Sequence, residues 1–162
     1  MAVFLRRMLG IGKLPDDMRE QVQSEGVLFL AEFVPVTRRF SGRVPGHVAK
    51  GNISSYVGAL VITSQRVIAT LSSVPKRAGR TIDQRWDAAQ TGAVSAEISA
   101  SGLKLELDIG RVDPSFSGHL SLNYKTTIPE EVLTTLPTRF LAFDVPREYV
   151  LRAVGVPAPR PI

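Results

Sequence analysis

Residues 93–109 read AVSAEISASGLKLELDI, and their apolar side chains fall on every second position. A period of two belongs to strands with one dry face and one wet face, because successive side chains point to opposite sides of a pleated backbone. Val94, Ala96 and Ile98 share one face of the first strand, and Leu103, Leu105, Leu107 and Ile109 share one face of the second, with Gly102 marking the turn between them. Two registers are compatible with this pattern: Glu97 faces either Lys104 or Glu106. The first is preferred because it sets opposite charges across the ladder. Glu97 and Glu106 are therefore read as solvent-face strand partners rather than as an acid/base pair.

The remaining segments extend the same theme. VLFLAEFVPVT is a strand from Val27 that reaches an edge or a bulge at Pro35. GALVIT and RVIATL form a hairpin across Ser64-Gln65, and TIDQRWDAA, HLSLNYK and TRFLAFDV are further strands. Asp16 and Asp17 suit the start of a short helix that Gly26 ends, and Pro129-Glu130-Glu131 opens another to about Leu136. PREYVLRAVG is a closing helix ended by Gly155. Residues 37–57 contain three glycines and one proline without sustained periodicity, and are expected to be a long loop. SSVPKRAGR is expected to be a second loop, also basic. The fold class is mainly β (α+β): a bent antiparallel barrel of about seven strands with short N-terminal and C-terminal helices. Residues 1–25 form an arm and short helix, 26–155 the domain, and 156–162 a proline-rich tail expected to be disordered.

Charge is distributed unevenly. Residues 1–81 carry twelve Lys/Arg against five Asp/Glu, whereas residues 82–162 carry eight against ten. Between Glu32 and Asp83 there is no acidic residue at all. One-signed stretches of this kind suit an anionic partner or a solvated surface. The absence of cysteine removes disulfides, thiolate catalysis and cysteine-based zinc sites. Arg6 and Arg7 interrupt the apolar N-terminus too early for a secretory signal, so a cytoplasmic location is expected, with peripheral attachment to a membrane as an extension of it. The apolar residues of MAVFLRRMLGIGK, interleaved with Arg6, Arg7 and Lys13, suit either a membrane surface or packing on a protein.

The hairpin GALVITSQRVIAT resembles that of bacterial pleckstrin-homology (PH-like) and GRAM-type domains, roughly G-x-L-x-L-T-x-x-R-L-I. Gly58, Leu60, Ile62, Thr63, Arg66, Val67 and Ile68 occupy the matching positions. The resemblance implies a bent seven-stranded barrel capped by a C-terminal helix, with OB-type barrels as the structural competitor. In PH-like domains that bind phosphorylated headgroups, basic residues of the first inter-strand loop hold the phosphates. Carried over, this singles out Arg38, Arg39, Arg43 and Lys50, and with them Lys76, Arg77 and Arg80 from the next basic loop.

The expectation is a non-enzymatic binding module, using loops 37–50 and 75–80 to dock on an anionic lipid surface or a phosphorylated ligand. The alternative is a protein partner or self-association, through the N-terminal arm or a sheet edge. Nucleic acid is a third reading, because Arg38-Arg39-Phe40 joins phosphate contacts to a ring that could stack on a base. No cofactor or metal ligand set is expected. His47 and His119 have no carboxylate at a useful local spacing, and no phosphate loop, nucleophile elbow or HExxH motif is present. Asp83, Asp87, Asp108 and Asp113 are expected to be structural carboxylates.

Overall fold

The computed structural model describes residues 14, 16–72 and 81–155. Helix α1 (Asp16–Gln23) leads into strands β1 (Val27–Val44), β2 (His47–Thr63), β3 (Arg66–Ser72) and β4 (Thr81–Arg85). Strands β5 (Val94–Ser99), β6 (Gly102–Asp108) and β7 (Ser117–Lys125) follow, then helix α2 (Glu130–Leu133), strand β8 (Phe140–Phe143) and helix α3 (Arg147–Ala153). The eight strands form one antiparallel sheet in the order β4-β3-β2-β1-β7-β6-β5-β8, curled into a nearly closed barrel.

The β5–β6 hairpin has the register that opposite charges favour: Glu97 faces Lys104 and Val94 faces Leu107. Its alternating residues Val94, Ala96, Ile98, Leu103, Leu105 and Leu107 join the barrel core, and Ile109 continues it into a single 3-10 turn. The β2–β3 hairpin differs, being apolar on both faces. Leu60, Ile62, Val67 and Ala69 point into the barrel, while Ala59, Val61 and Ile68 point outward beneath Leu14 and Val22. Burial on two sides is why this segment reads as a continuous apolar run rather than a strict alternation.

Its turn is tied down chemically. The Thr63 hydroxyl accepts the backbone N–H of both Gln65 and Arg66 at 3.0 Å. Arg66 then reaches back to the Glu25 carboxylate (Nε to Oε1, 3.0 Å) and across to Asp83 (Nη1 to Oδ2, 2.7 Å). Gly26, at φ +81°, lets its carbonyl accept the Ser64 N–H at 3.1 Å. Glu25 and Asp83 lie just outside the acid-free stretch and neutralise its one deeply placed turn arginine.

The expected loop over 37–57 is instead a continuation of the first two strands. β1 runs to Val44, Pro45 and Gly46 make a two-residue turn, and β2 starts at His47. Gly46, at φ +83°, supplies the positive φ that such a turn needs. The alternation is present but disguised. The inward positions after Val36 are Arg38, Phe40, Gly42 and Val44, so a buried arginine and a glycine stand where apolar residues signal a strand. Gly42 has a reason to be there: a Cβ on it would lie 2.1 Å from the Ser117 carbonyl oxygen. Gly118 is its register partner on β7 and is equally tight against Ser41. Pro35 sits beside a bulge between Ala31 and Val34, at the point where pairing with β7 has not yet begun.

The two outermost strands, β4 and β8, are joined by side chains instead of a ladder. The Gln90 carboxamide oxygen accepts the Ala142 N–H at 3.1 Å, and Gln84 Nε2 donates to the Ala142 carbonyl at 3.4 Å. Thr138 covers the next outward-facing residue, accepting the Phe140 N–H and donating to its carbonyl, both at 3.1 Å. These contacts occupy the backbone groups that an open edge strand would otherwise offer to another chain.

Candidate functional site

Strand alternation separates the adjacent arginines of β1. Arg38 points inward and is 3% exposed, whereas Arg39 points outward and is solvent-exposed. The Arg38 guanidinium donates to the Ala153 carbonyl at 3.1 Å, to Ser54 Oγ at 2.8 Å and to Asn52 Oδ1, and it lies over the Tyr56 ring. Ala153 is the last residue of α3, so Arg38 fills one of the open acceptors of that helix end and sits at the negative end of its dipole. Every one of these partners is neutral. Arg38 is therefore a pin that holds the closing helix on the barrel: both of its Nη atoms are engaged, while its Nε is buried with no hydrogen-bond partner. Phe40, next along the strand, is 1% exposed and stacks against His47 at 6.1 Å. It offers no face to a base, which removes the ring from the Arg38-Arg39-Phe40 nucleic-acid reading.

Arg39, Arg43 and Lys50 are exposed on the β1–β2 ribbon. In register, Arg39 faces Ile53 and Arg43 faces Val48. These two apolar partners are unusually open, Val48 at 63% and Ile53 at 57% exposure. Lys50 lies in a bulge opposite Ser41, where the Gly51 N–H donates to Ser41 Oγ at 2.7 Å. The ribbon thus presents two cation–aliphatic pairs and a third cation on one outer surface. Pairing of β3 to β2 extends only over Val57–Ile62, so among the described residues the far edge of β2 before Val57 carries no neighbouring strand. Lys76, Arg77 and Arg80 lie outside the described residues, as do the N-terminal arm and the proline-rich tail.

A second feature continues from the ribbon onto the outer face of β1, β7 and β6. There a groove of about 460 Å³ opens to solvent. Thr37, Ser121 and Asn123 are half-buried and form its floor, while Arg39, Lys104 and Lys125 rise around it. His119 and Glu106 line one end and are hydrogen-bonded to each other, and Lys104 Nζ lies 3.2 Å from Glu106. The register explains the convergence: Ser121 of β7 stands between Arg39 of β1 and Glu106 of β6, and Asn123 stands between Thr37 and Lys104. The opposite sides of these strands are core, with Leu120, Leu122 and Tyr124 fully buried, so the floor is rigid.

Sequence reasoning missed this groove, although it read Glu106 as solvent-facing and placed HLSLNYK in a strand. The signal lay in the polar alternate positions of GLKLELD and HLSLNYK, which share one face only once β6 is known to pair with β7. Asp83, Asp87, Asp108 and Asp113 each serve a separate local partner: Arg66, Arg85, the Gly110 N–H and Ser115 respectively. Hydrogen bonds from the Ser115 side chain and backbone hold the Asp113 carboxyl below the usual carboxylate range. Burial pushes the phenols of Tyr124 and Tyr149 far above the usual tyrosine value, and both belong to the core. Among the described residues, no group of three His, Asp or Glu side chains is gathered for a metal, and no helix is long and apolar enough to cross a membrane.

No family model, curated protein or solved structure matches the chain.

Proposed function

We propose that the protein is a non-enzymatic, PH-like binding module that docks on an anionic membrane surface through the outer face of its β1–β2 ribbon. The observation that carries this reading is the register pairing of Arg39 with Ile53 and of Arg43 with Val48, both aliphatic side chains standing open to water. Cations beside exposed aliphatic groups suit a lipid interface, where the charge meets phosphate and the aliphatic group leaves water. Lys50 adds a third charge to the same surface, and the stretch from Phe33 to Ile82 contributes no carboxylate to repel the membrane. A single antiparallel sheet bent towards closure and a C-terminal helix packed on it are consistent with the PH-like resemblance of the hairpin sequence.

Sedimentation with anionic and with neutral vesicles tests the proposal. Binding to anionic vesicles is expected, and loss of Arg39, Arg43 and Lys50 together is expected to weaken it about a hundredfold, since each cation near an anionic surface contributes about 1 kcal/mol. Val48→Ser with Ile53→Ser is expected to weaken it further at constant charge. Equal, negligible sedimentation with both vesicle types overturns the reading. The same open edge of β2 supports a second one, addition of a strand from another protein or a second copy. That reading predicts a solution mass above the monomer that falls when Val48 and Ile53 are replaced by serine.

A further inference from the structure

We infer that the groove over β1, β7 and β6 is a site for a small phosphomonoester carried on a hydroxyl-rich, non-aromatic frame, of the chemical class of a sugar phosphate. This site shares Arg39 with the membrane-docking ribbon, but Lys104, Lys125 and the polar floor belong to the groove alone. Arg39, Lys104 and Lys125 line the groove against the single carboxylate of Glu106. Glu106 is already engaged by Lys104 and His119, which leaves Arg39 and Lys125 without a carboxylate partner among the described residues. Like charges gathered around one concavity repel one another, and a dianion placed between them relieves that repulsion.

Geometry narrows the anion to phosphate. Arg39 and Lys104 approach β7 from opposite sides, on adjacent rows of the sheet. Directly opposed residues on one sheet face stand about 5 Å apart, so these two long side chains can meet over Ser121 and Asn123. The Arg39 fork supplies paired donors and the two lysines supply point charges, the mixture that phosphate oxygens accept. The Ser121 and Thr37 hydroxyls and the Asn123 carboxamide lie beneath as neutral donors.

The lining narrows the frame. No phenyl, phenol, indole or large aliphatic side chain borders the groove, and its one aromatic ring, the His119 imidazole, is tied to Glu106 at one end, so a base or an acyl chain would find little to pack against. The hydroxyls, the carboxamide and the imidazole–carboxylate pair at the far end are instead partners for hydroxyl groups. A volume of about 460 Å³ falls in the range of small-molecule sites, about 300–1,000 Å³.

Amide chemical shifts of the full chain, titrated with glucose 6-phosphate, glucose, inorganic phosphate and adenosine 5′-monophosphate, test the inference. Saturable shifts at Thr37, Ser121 and Asn123 are expected with glucose 6-phosphate and absent with glucose. Lys104→Ala and Lys125→Ala are each expected to weaken binding about tenfold, the loss of one charge-assisted contact. Both alter exposed side chains, so the native spectrum serves as the control for folding. Val48→Ser with Ile53→Ser is expected to leave this titration unchanged while it weakens vesicle binding, so the two sites fail independently. No saturable shift at the three amides, an equal response to glucose, or unaltered affinity in a Lys104/Lys125 double variant overturns the site. Tighter binding of adenosine 5′-monophosphate or of inorganic phosphate than of glucose 6-phosphate overturns the hydroxyl-rich frame.

Discussion

Gln90 behaves towards Ala142 as a missing strand would, accepting its backbone N–H at 3.1 Å across the gap between β4 and β8. Its amide nitrogen is anchored in turn by the Ala88 carbonyl at 3.0 Å. Gln90→Ala should therefore expose an unpaired edge, costing about 1 kcal/mol for the lost hydrogen bonds and raising self-association. Light scattering across a concentration series reads the second effect. Gln90→Glu keeps an acceptor for Ala142 and should remain monodisperse by comparison with the alanine variant.

Arg38 and Arg39 should respond oppositely to the same substitution. Arg38→Ala removes a buried guanidinium, leaves the Ala153 carbonyl with only the Tyr56 hydroxyl as side-chain donor at 3.1 Å and creates a cavity, for an expected loss of about 3 kcal/mol. Arg39→Ala should change stability by no more than about 0.5 kcal/mol, as expected of an exposed site. Urea unfolding midpoints compare the two. Equal midpoints would place Arg38 outside the folded core.

The Glu25–Arg66 contact sets a pH dependence. Burial pushes the Glu25 carboxyl up, but hydrogen bonds from Arg66 and Thr63 outweigh this, and the net effect is a value below the usual 4.5. A carboxyl depressed in the folded state contributes stability that is complete above its unfolded value and is lost as pH falls through its folded value. Thermal stability should therefore fall with acidification below about pH 4.5. Glu25→Gln should lower stability at neutral pH by about 2 kcal/mol and flatten this part of the acid profile. A profile of unchanged steepness in the glutamine variant would assign the acid sensitivity to other carboxylates.

The Gly42–Gly118 crossing should tolerate no side chain. A Cβ on Gly118 would lie 2.2 Å from the Ser41 carbonyl oxygen, and its φ of +113° disfavours any L-residue. Gly118→Ala is expected to cost more than about 2 kcal/mol through strain and lost pairing. Hydrogen exchange should quicken first at Phe40 and Leu120, which face each other beside the crossing. The β5–β6 hairpin should be the last of the sheet to follow.

What the sequence discloses here depends on how local the signal is. The hairpin at 93–109 was legible because its alternation, turn glycine and cross-strand charges lie within a few residues, and that at 58–71 because two apolar β-forming runs flank a short polar turn. The ribbon at 37–57 was not, because Arg38 and Gly42 hold inward positions for reasons at the other end of the chain: the α3 terminus at Ala153 and the β7 backbone at Ser117. Its three glycines and one proline read as loop residues, whereas within this ribbon only Pro45-Gly46 marks a reversal. The groove was the least legible feature. It takes residues from three segments, 37–39, 104–106 and 119–125, and none of them carries a pattern distinct from an ordinary wet strand face. Register alone brings them together.

The two-sided burial of the β2–β3 hairpin also bears on how short the chain can be made. Leu14 and Val22 are fully buried against Ala59, Val61 and Ile68, and the Leu14 N–H is held by Glu32 at 2.7 Å. A fragment beginning at Gly26 would contain every strand, yet it would leave an apolar sheet face wet and Glu32 without the Arg19 and Leu14 donors. Such a fragment should aggregate more readily than the full chain. Leu14 and helix α1 are thus the second wall of the barrel's most apolar hairpin, and a shortened chain has to keep them.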